Sequence, residues 1–432
     1  MGPKPGELVP WAFDAAPCPP RPRRYIALAM KTAHLLWPKG FLAAGVHAGI
    51  KTRPVPDVGL LISRQTATAA VLFTTNQVVA APVIVGRRHA AAGRLRGVVV
   101  NSGNANACTG KRGEKDALKM CKVGAEQINC DQHLILPSST GIIGHLLPMS
   151  KISPAIVAAA ARLGDSAEHA GQFADAIMTT DLVRKTADAK FTVDRQEVRL
   201  AGVCKGSGMI GPRLGPIGHA TMLAYLTTDA LATPAILKKL LAAAANESFN
   251  AVTVDDHAST NDTLCLLASG MSGAKIDSPA ATISFAAALK DVCQSLARQI
   301  AADGEGAEKI VTIHVSGAQN ETAAKAIARA IAVSPLVKCA MHGNDPNWGR
   351  IVSAAGMAAV AFDADRCVLK LAGTIVFRAG KPARFSAPAV SAAMKRKEVI
   401  VDLNCNAGRA QATIWTCDLS KEYVTINADY HT

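Results

Sequence analysis

The sequence predicts an α+β fold in which helices and strands pack in layers, and three observations carry this prediction. Short runs of apolar and β-branched residues alternate with alanine-rich helical periods in both halves of the chain. No regular strand–helix–strand repeat links these runs, so a doubly wound parallel sheet is not expected. The 432 residues, of which 49% are hydrophobic, suffice for a large buried core.

The first half of the chain contains two predicted strands, two predicted helices and one arm of a hairpin. Residues 66–73 and 96–101 are apolar and β-branched, which is typical of strands. Residues 115–127 and 154–163 combine a helical period with many alanines. Residues 191–202 alternate in the manner of a hairpin arm.

In the second half, a strand is expected directly after Thr221. A helix follows over 233–246, and Thr233-Pro234 marks its start. The remaining elements are predicted from the same two periodicities. They are strands at 251–254, 263–268 and 310–315, helices at 281–302 and 322–332, and a tail over 367–430 that is mostly strands around one short helix near 386–395.

Composition and charge argue against several classes of function. The formal net charge is +14, yet 4% of residues are aromatic and no long Lys/Arg run occurs, which disfavours nucleic acid and favours small anionic substrates. No apolar run approaches the ~18 residues of a membrane helix. The 11 cysteines lack CxxC or zinc-type spacing. We therefore expect reduced thiols in a cytoplasmic protein and no metal site.

The first 36 residues form a separate segment that is rich in proline and arginine but carries Glu7 and Asp14. A secretory signal would have a longer apolar core, and a mitochondrial transit peptide usually lacks acids. We expect residues 1–36 to be a disordered leader outside the folded protein.

A glycine-rich stretch at 206–211 reads GSGMIG and matches the dinucleotide-binding pattern GxGxxG. Such a loop must open a helix whose N-terminus holds the pyrophosphate. Pro212 and Pro216 follow at once, and no helical pattern separates the glycines from Asp229. A non-catalytic nucleotide-binding protein therefore stays as a minor alternative.

The pair Ala220-Thr221 lies between this flexible Gly/Pro loop and an apolar strand. A hydroxyl beside a distortable peptide bond is what an intramolecular N→O acyl shift needs. After cleavage, Thr221 would carry its own base, an α-amino group with a pKa of about 7.7–8.0. Taken alone, the pair is more typical of a threonine that opens a strand.

Ten segments, in order along the chain, resemble the ornithine acetyltransferase family, also called the bifunctional glutamate N-acetyltransferases. They span residues 37–432 and leave the leader outside, which makes the resemblance specific. The segments are WPKGFLAAGVHAGIK (37–51), FTTNQVVAAPV (73–83), NSGNANACTG (101–110), SSTGIIG (138–144), MTTD (178–181), the 205–230 region around Ala220-Thr221, SFNAVTVDDHASTND (248–262), DGEGA (303–307), NDPNWGRI (344–351) and INADYHT (426–432).

The resemblance implies a layered α/β/β/α-type sandwich made of two fragments of one precursor. An α fragment would cover 37–220, and a β fragment over 221–432 would begin with the nucleophile Thr221. The implied reaction moves the acetyl group from N2-acetyl-L-ornithine to L-glutamate through an acetyl-threonine enzyme, with no metal, nucleotide or prosthetic group. The family commonly forms a heterotetramer of two α and two β fragments. Use of acetyl-CoA as a further donor stays open.

The resemblance assigns the oxyanion hole to Thr140 and Gly141 of the STG motif. A hydroxyl and a backbone N–H on a glycine-permitted turn are suited to hold one oxygen, and such a donor contributes about 3–4 kcal/mol when preorganised. Without the family, the same residues are more typical of a β-turn.

Five further residues match substrate-binding positions of the family. An ammonium and a hydroxyl suit the α-carboxylate of an N-acetyl amino acid, and a flexible glutamate suits the ammonium of ornithine. Taken alone, they are typical of a helix cap, a solvated lysine, an exposed turn acid and a frayed terminus. The five are Thr179, Lys205, Glu305, Asn427 and Thr432.

One departure from the family lies directly before the cleavage point. Residues Arg213 to His219 look like a small insertion, and its effect on self-cleavage stays open. The rival enzyme class is a self-processed N-terminal-nucleophile aminopeptidase or amidohydrolase, in which water resolves the acyl-enzyme. Release of acetate without glutamate would favour that class. We treat 344–350, NDPNWGR, as a tight structural loop.

Overall fold

The computed structural model describes residues 34–211, 214 and 222–429, and within them it has fourteen strands and eleven α-helices. The strands are β1 (Phe41–Val46), β2 (Val58–Phe73), β3 (Arg94–Asn104), β4 (Ile135–Ile142), β5 (Lys185–Val193), β6 (Gln196–Lys205), β7 (Leu223–Thr228), β8 (Thr263–Ala268), β9 (Ile310–Ala318), β10 (Val368–Leu371), β11 (Thr374–Arg378), β12 (Lys381–Pro382), β13 (Glu398–Asn404) and β14 (Ala410–Cys417). The helices are α1 (Ala81–His89), α2 (Gly110–Gln127), α3 (Met149–Ala160), α4 (Ala167–Ile177), α5 (Pro234–Asn246), α6 (Pro279–Ala302), α7 (Glu321–Val333), α8 (Pro335–His342), α9 (Trp348–Gly356), α10 (Ala387–Met394) and α11 (Lys421–Asp429).

The larger sheet has eight strands in the order β4-β3-β2-β8-β7-β6-β5, with β1 paired to β2. The β3–β4 and β7–β8 pairs are parallel, and the other pairs are antiparallel. Strands β7 and β8 are buried along their whole length, and their side chains alternate between the two faces. Leu226 and Leu266 join a core with α5 and α6, whereas Tyr225 and Leu267 join a core with α4. Helices therefore cover both faces of this sheet.

The smaller sheet has six strands in the order β12-β11-β10-β13-β9-β14. Helix α7 packs on β9 and β14, and α6 contacts strands of both sheets. One hydrophobic cluster consequently extends from Leu226 in the larger sheet to Ile313 in the smaller one. The predicted α+β class is confirmed.

Helices α5 and α6 begin within two residues of the predicted positions, because their caps are local signals, whereas α2 begins at Gly110, five residues before the predicted start. The side chains of Thr233 and Ser278 accept hydrogen bonds from the N–H groups of Ile236 and Ala281, and a proline follows each cap. The predicted strands 66–73, 96–101, 263–268 and 310–315 are likewise confirmed. The hairpin at 191–202 exists, but its turn at Asp194-Arg195 lies inside the segment predicted as one arm, so the segment contains parts of both β5 and β6.

Other elements differ from the prediction. The strand expected at 251–254 is wrong, since Phe249–Ala251 forms a 3-10 turn and Val252 makes a single bridge to Trp415. The helix predicted over 154–163 begins earlier, at Met149. Helix α9 begins inside the segment treated as a loop, and Asn347 caps it. Helices α1, α4, α8 and α11 are also absent from the prediction.

The last three residues of the predicted leader belong to the folded protein. Leu35 and Leu36 are buried, and the Leu35 carbonyl accepts a hydrogen bond of 2.5 Å from Thr227 Oγ1 on β7. The expectation of disorder is therefore wrong for 34–36, while residues 1–33 lie outside the described residues. No helix in the described part of the chain is long and apolar enough to cross a membrane.

Candidate active site

Three neighbouring strands of the larger sheet, β6, β7 and β8, each have one end at the same edge of the sheet. A predicted site residue lies at this edge. Lys205 is the last residue of β6 and pairs with Leu223, the first residue of β7. Leu223 also pairs with Thr263, the first residue of β8. Side chains at this edge of the sheet are held by backbone ladders on both sides of β7.

At this edge a buried acid contacts Met222, the residue that follows the predicted nucleophile in the sequence. Ala220, Thr221 and Thr432 lie outside the described residues, as does the 213–219 insertion apart from Leu214. The described residue next to Thr221 is Met222, whose backbone N–H donates to the Asp262 carboxylate. Burial raises the pKa of Asp262 well above its usual range, and the Met222 N–H and Lys205 oppose this shift.

Lys205 is a buried cation. Its side chain is 3% exposed and its Nζ lies 3.5 Å from Thr179 Oγ1. Burial lowers the pKa of Lys205, while Asp181 and Asp262 act to raise it. The alternative of a solvated surface lysine is therefore wrong, and the ammonium and hydroxyl together suit a carboxylate ligand.

A buried ion cluster holds the segments around Lys205 in place. Lys185 Nζ donates to Asp181 at 2.6 Å and to Asp303 at 2.5 Å. Asp181 also accepts from the N–H groups of Gly206 at 2.7 Å and Thr179 at 3.0 Å. Burial by itself would raise the pKa of Asp181, but Lys185 and Lys205 lower it to about 2. The cluster thus fixes the Thr179 turn against the end of β6, and Thr179 follows α4 instead of capping a helix.

Glu305 lies in the loop after α6 and is 9% exposed. Its backbone N–H donates to the Ser207 carbonyl at 3.0 Å, and its carboxylate accepts 3.0 Å from Asn427 Nδ2 on α11. A Cβ on Gly208 would overlap the Glu305 carboxylate, so these two residues are in close contact. The alternatives of an exposed turn acid and a frayed terminus are wrong for the residues up to 429.

Thr140 and Gly141 lie inside β4, where they pair with Ser102 and Gly103 of β3, so the interpretation of these residues as a β-turn is wrong. Gly141 has φ +131° and pairs with Gly103, and a Cβ at Gly141 would overlap the Gly103 backbone. A glycine is therefore required by conformation and by space. Thr140 is buried, and among the described residues none hydrogen-bonds its hydroxyl.

Asn261 links the end of β4 to Asp262, and the sequence motifs assigned a role to neither residue. The Asn261 side-chain amide donates to the Ser139 carbonyl at 2.9 Å and to the Ala105 carbonyl at 2.6 Å. Ser139 Oγ in turn donates to Asn101 Oδ1 at 2.6 Å. Both acid and amide stand directly before an apolar strand in the quoted STND motif, which is the signal that would have drawn attention to them.

Backbone N–H groups of the GSGMIG loop donate hydrogen bonds to carboxylates of the protein itself. Gly206 N–H donates to Asp181, while the N–H groups of Met209 and Ile210 each donate to Asp255 at 2.8 Å. The described residues 206–211 contain no helix. Since a phosphate-binding loop needs free N–H groups at a helix N-terminus, this segment does not fit a nucleotide.

A second group of polar side chains has the composition of a metal site. Ligand atoms of Glu308, His342 and Asp418 lie within 4.8 Å of one another. The Asp418 oxygens, however, already accept from His342 Nδ1 at 2.8 Å and from the N–H groups of Glu308 and Lys309 at 2.8 and 2.9 Å. These bonds satisfy Asp418 without an ion.

Comparison with known proteins identifies relatives over nearly the whole chain. A family model described as the ArgJ family matches residues 42–432. Proteins named arginine biosynthesis bifunctional protein ArgJ are 43% identical in Rhodopirellula baltica, over 93% of this chain and 97% of that protein, and 43% identical in Symbiobacterium thermophilum, over 91% and 98%. A structure of ornithine acetyltransferase complexed with ornithine, from Mycobacterium tuberculosis, is 34% identical over 43% of this chain and 98% of that chain, with a TM-score of 0.39.

The α+β fold, the site at the sheet edge and these sequence relatives together define an acyltransferase. The match over 42–432 and the identity of 43% over 405 residues show its family. The chain belongs to the ArgJ family.

Proposed function

We propose that the protein cleaves itself between Ala220 and Thr221 and then uses Thr221 to move the acetyl group from N2-acetyl-L-ornithine to L-glutamate in arginine biosynthesis. The observation that carries the proposal is that Lys205 and Asp262 lie at the start of β7, where Asn261, next to Asp262, is hydrogen-bonded to Ser139, which precedes Thr140. It occurs in a chain whose relatives are named arginine biosynthesis bifunctional proteins.

The first step is cleavage of the precursor. The Thr221 hydroxyl attacks the Ala220 carbonyl carbon, and the acyl group shifts from the Thr221 nitrogen to its oxygen. Water then hydrolyses this ester, which leaves the Ala220 carboxylate and a free α-amino group on Thr221. The Met222–Asp262 hydrogen bond supports this step, because it fixes the backbone on one side of the bond that must be distorted.

The second step is a double displacement. The Thr221 α-amine accepts the hydroxyl proton while the oxygen attacks the acetyl carbonyl of acetylornithine. The Thr140 hydroxyl and the Gly141 N–H would stabilise the oxyanion. The tetrahedral intermediate collapses to acetyl-Thr221 and releases the ornithine amine, which takes up the proton. The α-amine of glutamate then attacks the acetyl-threonine by the same steps in reverse.

Substrate binding would use two side chains of opposite charge, Lys205 and Glu305, which interact electrostatically and between which the substrate pocket would lie. Lys205 and Thr179 would bind the α-carboxylate, because the buried ammonium has no described carboxylate in ion-pair contact. Glu305, held by Asn427, would bind the side-chain ammonium of ornithine. Thr432 would complete the pocket after α11.

The assembly and location belong to the same proposal. Two α fragments (37–220) and two β fragments (221–432) would form a heterotetramer in the cytoplasm. No metal, nucleotide or prosthetic group takes part in these steps. Acetyl-CoA as a further acetyl donor is an open point that a direct assay with glutamate decides.

The test combines mass and kinetics. Denaturing mass spectrometry should show two fragments, of which the β fragment begins Thr-Met-Leu-Ala, and donor alone should add one acetyl group to it. Initial rates with acetylornithine and glutamate both varied should give parallel lines. A stable single chain in active enzyme contradicts self-cleavage, whereas acetate release that does not depend on glutamate supports the amidohydrolase class instead.

A further inference from the structure

In the proposed double displacement, the donor acetylornithine and the acceptor glutamate bind at the same site one after the other, and their side chains carry opposite charges. Ornithine ends in an ammonium, which the Glu305 carboxylate suits. Glutamate ends in a carboxylate, which Glu305 would repel. Lys205 is already needed for the α-carboxylate that both substrates share. Recognition of the glutamate side chain therefore requires a second cation.

Two other lysines interact electrostatically with the cluster around Asp181, and one of them is fully engaged. Lys185 is completely buried between Asp181 and Asp303. Lys51 Nζ instead donates to two backbone carbonyls, Pro56 at 3.0 Å and Asp175 at 3.3 Å. No carboxylate among the described residues forms an ion pair with it. An ammonium has three donors, so two carbonyl contacts leave one for a ligand.

Lys51 lies beside Gly103 of β3, the strand that pairs with the predicted oxyanion residues of β4. A Cβ on Gly103 would lie 3.0 Å from Ile50 Cγ2 and 3.3 Å from Lys51 Cγ, so the stem of Lys51 covers Gly103. Gly103 is the residue that pairs with Gly141. Lys51 also interacts electrostatically with Asp181 and Lys205. Its ammonium is thus within electrostatic reach of the predicted α-carboxylate site.

The loop that carries Lys51 is held by one buried acid. Asp57 is 0% exposed, and its carboxylate accepts from the N–H groups of Ala48 at 2.5 Å, Ile50 at 2.7 Å and Lys51 at 3.1 Å. His47 Nδ1 lies 3.4 Å from the same carboxylate. A backbone fixed in this way presents the lysine with little conformational cost on binding.

We propose that Lys51 determines acceptor specificity by binding the side-chain carboxylate of glutamate. This inference rests on the proposed function. Burial lowers the pKa of Lys51 to about 8, with Asp57, Asp181 and Asp175 acting in the opposite direction. An incoming carboxylate would favour the charged lysine, and the other two lysines that interact with Asp181 are already engaged, Lys185 with Asp181 and Asp303 and Lys205 with the proposed α-carboxylate.

The experiment uses the mature enzyme with acetylornithine as donor and compares glutamate with glutamine, an acceptor of the same shape without the side-chain charge. In Lys51→Met, the ratio of kcat/KM for glutamate to that for glutamine should fall by about 10–100-fold, because a charged hydrogen bond is lost. Acetylation of the β fragment by donor alone should keep its rate within about threefold. Lys51→Arg should retain most of the ratio.

The wild-type enzyme gives a second test that needs no variant to fold. Asp57, Asp175, Asp181, His47 and Lys205 surround Lys51 or interact with it. Lys205 would contact the α-carboxylate of both acceptors, so its titration cancels in the ratio. The glutamate/glutamine ratio should fall as the pH rises through about 8, and this fall should be absent from Lys51→Arg.

Each outcome decides between the two proposals. Equal losses for glutamate and glutamine, or a wild-type ratio that is constant with pH, overturn the role of Lys51 and leave the proposed function standing. If the wild-type enzyme forms no N-acetylglutamate, the proposed function fails and the inference about Lys51 fails with it.

Discussion

The backbone N–H of Met222 donates to the carboxylate of Asp262, a residue that is 0% exposed. Thr263 N–H donates in turn to the Met222 carbonyl at 3.0 Å. The first described residue after the predicted cleavage point is therefore fixed on both of its backbone polar groups. Asp262 thus holds the residue next to the predicted nucleophile, and this contact leads to the first prediction.

Asp262→Ala should slow self-cleavage and lower kcat by about 10–100-fold, because it leaves the buried Met222 N–H without an acceptor. Asp262→Asn keeps an oxygen at the same position and should mature with a smaller loss. The fraction of cleaved chain is followed by denaturing mass spectrometry. Asp277→Ala, at an exposed aspartate, serves as the control. Equal behaviour of the alanine and asparagine variants would contradict the positioning role.

The second prediction concerns the nucleophile. Thr221→Ala should remain a single chain without activity, because it removes the hydroxyl needed for both the acyl shift and the transfer. Thr221→Ser keeps a hydroxyl and should still cut, at a reduced rate. Time courses on denaturing gels distinguish the two. Fragments of the expected size from Thr221→Ala would show that another residue or a protease makes the cut.

The third prediction tests the predicted oxyanion residues. Thr140→Ala should lower kcat by about 10²–10³-fold with little change in KM, since the donor acts mainly on the transition state. Gly141→Ala should do at least as much harm, because φ is +131° and the added Cβ would overlap the Gly103 backbone. Gly144→Ala tests whether any glycine change nearby suffices, since Gly144 has φ +93° but nothing within 4 Å of the added Cβ. If Thr140→Ala stays within about threefold of wild-type kcat, the oxyanion role of Thr140 is wrong.

The fourth prediction separates the two ends of the substrate. Lys205→Ala should raise KM for acetylornithine and glutamate together, because both carry an α-carboxylate. Glu305→Gln should raise KM for acetylornithine by about 10-fold and leave KM for glutamate unchanged or lower, since a repulsive charge is removed. The readout is the pair of KM values in each variant, measured after fragment formation has been verified. A parallel rise of both KM values in Glu305→Gln would contradict its contact with the ammonium.

The sequence predicted those elements whose boundaries are set by residues close together in the chain, such as helix caps and a regular apolar period. Helices α5 and α6 carry a cap, a proline at the start and a sustained period, and both are confirmed. The strand expected at 251–254 failed because Val252 meets its partner Trp415 far along the chain, through a single bridge. Helix α11 has no buried residue, so its sequence lacks the apolar stripe that would have predicted a helix.

The site could be predicted less well from local patterns. In the sequence, Lys205 resembles a surface lysine. In the folded protein it is buried, because hydrogen bonds to Asp181 hold the neighbouring segments around it. Asn261 reaches the Ser139 carbonyl across 122 residues, and no local pattern records such a contact. The candidate site residues Thr179, Glu305 and Asn427 were found through the family motifs that contain them in order. The periodicity of the sequence does not indicate them. Lys51 and Asp262 lie in the same motifs, yet their surroundings become visible in the packed structure alone.

The last prediction concerns acid stability and follows from the Lys185 cluster. Asp181 has a folded pKa of about 2 against an ordinary value of 3.8, so its folded pKa is depressed. Its contribution to stability is therefore fully present above the ordinary pKa and is lost as the pH falls through about 2. The contribution amounts to roughly 2 kcal/mol. Burial raises the pKa of Asp303, so that residue acts in the opposite direction.

Asp181→Asn removes this contribution, so the difference in free energy of unfolding between the parent and Asp181→Asn should be large near neutral pH and shrink by roughly 2 kcal/mol between about pH 5 and pH 2. Urea unfolding should be measured in a Thr221→Ala background, where a single chain makes the transition unimolecular. Asp291→Asn, at an exposed aspartate, should show no such change. A difference that is constant down to pH 2 would mean that the pKa of Asp181 is the same in the folded and unfolded protein, and the ion cluster would then not be what stabilises the Asp181 carboxylate.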